Sequence, residues 1–135
     1  DLIYSNILSF KDNESSRHFK PLVMEAQPRW GKGEMVVEGL MTDNFFLPGC
    51  VLFTRDLYNR VGYFKKGMSG LEDWNYWFRA ALLGAVFYHD KRKGTHLLAR
   101  NHGENMSSFR RDMLISKINA RKDIMGFMAD LLNEG

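Results

Sequence analysis

Two adjacent carboxylates, Glu72 and Asp73, stand directly before a cluster of large aromatics in the run SGLEDWNYWF, residues 69 to 78. A carboxylate beside an indole and a glycine-bearing loop, here Gly67 and Gly70, suits the holding and deprotonation of a sugar hydroxyl. The same residues also have a structural explanation. Ser69 and Glu72 have the S-x-x-E spacing of a capping box, and a carboxylate in the first turn of a helix gains from its dipole. The box accounts for Glu72 and leaves Asp73 without a structural duty. On spacing alone the structural account of the pair is the stronger. The glycine loop and Trp74 shift the balance towards a base.

The second polar cluster is ARNHGENMSS, in which His102 lies between Arg100 and Asn105. A histidine in a polar loop after a strand can ligate a metal or contact phosphate, although a lone loop histidine is usually just solvated. No Cys/His spacing typical of zinc is present, and His18, His89 and His96 are isolated. Cys50 adjoins an apolar run and reads as a core residue. As the single cysteine it cannot form an internal disulfide, which fits a reducing, cytoplasmic compartment. There is no Walker-type or G-x-G-x-x-G loop. Arg110, Arg111, Lys117, Arg121 and Lys122 share the C-terminal stretch with a Met- and Leu-rich face. Such a helix either packs on its own domain, the favoured reading, or lies peripherally on an anionic membrane.

The elements that must position these groups fit one domain of 135 residues, 44% hydrophobic and 26% charged, which argues against disorder. A net charge of +3 is too mild to require a nucleic-acid partner. No apolar stretch approaches the roughly 20 residues of a membrane span. LIYSNILSF predicts a strand, KDNESS a turn, and residues 17 to 33 an irregular segment. GEMVVEGLMTDN predicts a helix with Met35, Val36, Leu40 and Met41 inward. FFLPGCVLFT reads as a buried strand interrupted at Pro48-Gly49, and RDLYNRV as a short helix that Gly62 ends. The strongest helix is LEDWNYWFRAALLG, with Trp74, Trp77, Phe78, Ala81 and Leu82 as its core stripe. AVFYHD and THLLARN predict two strands. A long helix follows from residue 108, with Leu114, Ile118, Met125, Met128 and Leu132 as its apolar face. The fold class is α/β.

These pieces occur in an order that resembles the second half of family 2 glycosyltransferases, inverting enzymes of the GT-A fold. Arg55, Gly62-Tyr63-Phe64, Glu72-Asp73-Trp74, Trp77-Phe78-Arg79-Ala80 and Gly84 follow the family pattern. Arg100, His102, Asn105 and Ser107 resemble its R-x-H-x-x-N-x-S ending. The resemblance is good over residues 46 to 108 and weaker before. It implies a partial GT-A mixed sheet with flanking helices over 1 to 108, and a C-terminal amphipathic helix over 109 to 135.

It further implies that Asp73 is the general base for the acceptor hydroxyl and that Glu72 caps the helix and touches the acceptor. Trp74 would wall the acceptor pocket, with Gly70 in its loop. Gly49 would leave room for the donor sugar, and Arg100 would line the substrate site. His102 would complete a divalent-cation site, for Mn or Mg, in the complete enzyme; no cation is expected on this portion alone. The partners implied are a nucleotide-sugar donor and a glycan or lipid-linked acceptor. The family's D-x-D motif has no counterpart here, Asp12-Asn13-Glu14 lying in a polar turn. A chain that begins with Asp and enters at once into a strand is expected to be an acceptor-side portion, inactive alone, lacking the nucleotide-binding half. Its open sheet edge would favour homodimers. The alternative is a non-catalytic module that binds carbohydrate or protein.

Overall fold

The structure is a computed structural model and describes residues 1–11, 18–22, 30–68, 70–92, 94–102, 105 and 110–134. Among the described residues it is mixed α/β, with two small sheets and four α-helices. The first sheet has the order β4-β1-β5, from β1 (Leu2–Ser5), β4 (Val51–Phe53) and β5 (Phe87–Asp90). β1 is antiparallel to β4 and parallel to β5, with Leu2 opposite both Phe53 and Phe87. The second sheet, β3-β2-β6, joins β2 (Ile7–Lys11), β3 (Lys20–Pro21) and β6 (Leu97–Asn101). There β2 runs antiparallel to β3 and parallel to β6.

The single strand expected over LIYSNILSF is therefore two strands in different sheets. Leu2 and Tyr4 are buried, then Ile7, so the two-residue alternation slips by one at Asn6. Asn6 fixes that crossing: its carbonyl accepts the Leu97 amide at 3.0 Å, and its side-chain oxygen bonds His89 Nε2 at 2.7 Å.

Helix α1 (Glu34–Thr42) forms where expected, but it turns Val36 and Leu40 inward and leaves Met35 and Met41 exposed. The segment before β4 is not a strand. Phe45 and Phe46 are buried in an extended loop, and Pro48–Cys50 forms a 3-10 turn with Pro48 at its start, a position that needs no amide hydrogen. Helix α2 (Arg55–Val61) is capped by Thr54, whose hydroxyl accepts the Leu57 amide, and ends at Gly62, whose φ of 82° suits only glycine well.

Helix α3 (Glu72–Leu82) is the centre of the molecule. Beyond the expected stripe, Asp73, Asn75, Tyr76 and Ala80 are also buried, because neighbours surround it. Trp77 packs on Phe46 and Phe53 at ring separations of 5.3 and 5.9 Å, and Tyr76 stacks on Phe64 at 4.4 Å. Arg79 straps α3 to the end of α2 by donating to the carbonyls of Val61 and Tyr63.

Helix α4 (Arg110–Glu134) packs on α3, but not by the face expected. Ser116, Ala120 and Ile124 are its buried positions, with Met128 beside the core. Leu114, Ile118, Met125 and Leu132 face outward. The inner face thus combines two small residues, Ser116 and Ala120, with Ile124 and Met128. Among the described residues, no helix is long and apolar enough to cross a membrane. Turn KDNESS beyond Lys11, the D-x-E run and residues 23–29 of the expected irregular segment lie outside the described residues, and within that segment Lys20–Pro21 forms the short strand β3.

Candidate functional site

Chain entry into α3 is unusual. Gly70 has φ 114° and is buried, and the next residue, Leu71, occupies the left-handed region with φ 62° as the N-cap of the helix. A branched side chain in that region costs about 1–2 kcal/mol. Leu71 makes no side-chain cap, and Glu72 is the first residue of the helix rather than its third. This corrects the expected capping box, whose Ser69 lies outside the described residues. Backbone strain held directly before a carboxylate pair is a pattern found at functional sites.

Asp73 sits in the first turn of α3 with only 7% of its surface exposed. One carboxylate oxygen accepts the Trp74 amide at 2.8 Å, and the other accepts Asn44 Nδ2 at 2.9 Å. Burial pushes the pKa of Asp73 above the ordinary carboxylate value, and the neighbouring charge of Glu72 adds to the rise. The hydrogen bonds from Trp74 and Asn44 act against it, and burial prevails.

Asn44 is held in turn. Its amide donates to Asp43 Oδ1 at 2.9 Å, and Asp43 Oδ2 accepts Lys117 Nζ of α4 at 2.8 Å. A continuous path of hydrogen bonds thus runs from α4 through Asp43 and Asn44 to Asp73. All four side chains border one open cleft of about 470 Å³, together with Gly70, Glu72, Pro48 and Asn105. Asp73 borders that cleft, so its carboxylate is placed to take a proton from a hydroxyl there.

The remaining expected site residues divide. Glu72 and Gly70 line the cleft with Asp73. Trp74 does not: it is fully buried, donates from Nε1 to the Leu40 carbonyl at 2.8 Å, and is covered by the Arg121 guanidinium 4.9 Å from its ring. It is a core residue that anchors α3 to α1 and α4. Gly49 faces a different hollow, at the ends of β1 and β5, where the Leu97 side chain lies 3.3 Å from the place a Cβ would take.

Arg100 is exposed on β6, outside the lining of the Asp73 cleft, and its carbonyl accepts Asn105 Nδ2 at 3.2 Å. His102 is half-buried, and its amide donates to Asn105 Oδ1 at 3.1 Å. Asn105 therefore ties Arg100 and His102 at the end of β6 to the lining of the cleft. Among the described residues no group of three His, Cys, Asp or Glu side chains converges around His102.

Fold and site together define a mixed α/β protein with a buried carboxylate, at a strained helix entry, facing an open cleft. No protein-family model, curated protein or solved structure matches the chain.

Proposed function

We propose that this chain is the acceptor-side portion of an inverting glycosyltransferase of the GT-A type, with Asp73 as its catalytic base. The observation that carries the reading is the Asp73 carboxylate itself: buried, raised in pKa, oriented by Asn44 and open to a cleft. The ordered likeness of residues 46 to 108 to family 2 enzymes supplies the reaction class. In that reaction a sugar hydroxyl of a glycan or lipid-linked acceptor enters the cleft. Asp73 takes the hydroxyl proton while the oxygen attacks the anomeric carbon of a nucleotide sugar. The bond from that carbon to the diphosphate breaks, and the nucleotide diphosphate leaves from the opposite face, so the configuration inverts. A base whose pKa is lifted towards neutrality takes that proton more readily than an ordinary aspartate.

The nucleotide-binding half and its divalent cation belong to a longer polypeptide in this proposal. Its test is therefore made on the natural full-length protein, assayed for sugar-nucleotide transfer and hydrolysis with and without Asp73→Asn. Loss of both activities in a folded variant supports the assignment; full activity in the variant overturns it. Saturable carbohydrate binding by the isolated chain, with no transfer by the full-length protein and no effect of Asp73→Asn, would instead make this a binding module.

A further inference from the structure

Helix α4 carries a second apolar face that the fold does not use. Leu114, Ile118, Met125 and Leu132 are 56, 54, 69 and 82% exposed. At 3.6 residues per turn they fall within about 40° of one another and span about 27 Å along the helix. Ile115, 46% exposed, borders the same stripe. Cationic residues flank it: exposed Arg111 and Lys122 on one side, and Arg121, lying over Trp74 and donating to the Thr42 carbonyl, on the other. Every acid of the helix, Asp112, Asp123, Asp130 and Glu134, falls on a line well away from the stripe, by the same periodicity. Asp123 is held there by Lys65 at 2.7 Å.

We infer that this face of α4 docks the protein on an anionic lipid bilayer, with the helix lying in the plane of the interface. The argument is charge complementarity combined with apolar exposure. A stripe of Leu, Ile and Met inserts among acyl chains, while arginine and lysine at its margins meet anionic headgroups. A second copy of the chain fits less well, since two such stripes face to face bring cation against cation with no acid between them. A nucleic acid has no use for four exposed aliphatic side chains. The inner face of α4 is engaged through Ser116, Ala120 and Ile124, so docking requires no unfolding of the helix from its domain. The inference is independent of the role given to Asp73.

The test is co-sedimentation of the chain with vesicles of phosphatidylcholine alone and of phosphatidylcholine mixed with phosphatidylglycerol, at low and high salt. Binding is expected on the anionic vesicles at least about tenfold above the neutral ones, weakening as salt screens the headgroups. Ile118→Glu with Met125→Glu should abolish it. Arg111→Gln with Lys122→Gln should remove about tenfold of the anionic preference. All four positions are exposed, so circular dichroism and the unfolding temperature should match the parent, and the full-length protein serves if a variant fails to fold. Absence of vesicle binding, or binding unchanged by Ile118→Glu with Met125→Glu, overturns the inference. A dimer in sedimentation velocity that those two substitutions dissociate also overturns it, by assigning the face to a second copy.

Discussion

At the scale of single residues, the site rests on one carboxylate and on how it is held. Asp73 stands out as a candidate in the sequence because a carboxylate pair precedes an aromatic helix, a signal confined to a few adjacent positions. Asn44 was not, because the bond it makes to Asp73 joins residues 29 apart in sequence. Nothing in TDNFF announces that partner, and Trp74 was misjudged because adjacency to Asp73 says nothing about which way a helical side chain points. In the reading proposed above, Asp73→Asn lowers kcat of the full-length enzyme by about 10²–10⁴-fold, the usual range for a lost general base. Asn44→Ala acts differently. It removes a hydrogen bond that lowers the pKa of Asp73, so the acidic limb of the pH–rate profile moves to higher pH. With the carboxylate less well aimed, kcat falls by about 10–100-fold. An unmoved acidic limb in Asn44→Ala would show that the limb belongs to another group.

At the scale of elements, the legible parts were those with punctuation or strong periodicity. Thr54 and Gly62 bracket α2, and the aromatic spacing of α3 marked a helix whose core side is indeed buried. For α4 the failure is that two apolar faces compete. α4 offers one stripe of Leu, Ile and Met and another through Ser116, Ala120 and Ile124, and the fold buries the second. LIYSNILSF looked like one strand because propensity does not see that Asn6 serves both sheets.

Two predictions follow at this scale for the entry and the brace of the site. Gly70→Ala forces a Cβ into φ 114° and should destabilise the fold by about 1–3 kcal/mol in urea titration, with the helix entry displaced and activity reduced. Lys117→Met removes the ammonium from the buried Asp43 carboxylate and should cost about 1–3 kcal/mol. Because the path from α4 to Asp73 runs through that ion pair, the same variant should lower kcat more than it raises KM. A change confined to stability would mean the path is a brace for the fold alone.

At the scale of the whole molecule, its dependence on pH combines two buried carboxylates with opposite tendencies. Asp90 at the end of β5 is held by Arg92 through paired hydrogen bonds of 2.7–3.1 Å, and these bring its pKa down to about 2. Its contribution is fully present above the unfolded value of 3.8 and is lost as pH falls through about 2. Asp73 works in the other sense. Burial raises its pKa above 3.8, so the folded state binds a proton that the unfolded state has released, and stability declines as pH rises through the raised value. His89, lowered below 6.5 by burial first and by Lys91 next, adds a loss of stability as pH falls below 6.5, so the total profile mixes all three.

Comparing variants separates them. Unfolding free energy from denaturant titration across pH 2 to 8 should show that Asp90→Asn flattens only the acidic fall below 3.8. Asp73→Asn should flatten the decline above 3.8, while its Nδ2 replaces an oxygen that accepts an N–H, so the loss of one of those hydrogen bonds offsets part of the gain at neutral pH. That decline matters for the function proposed, since an ionisation that weakens the fold serves something other than stability. Persistence of the decline above 3.8 in Asp73→Asn would assign it to another group and remove the thermodynamic support for the role of Asp73 as a base.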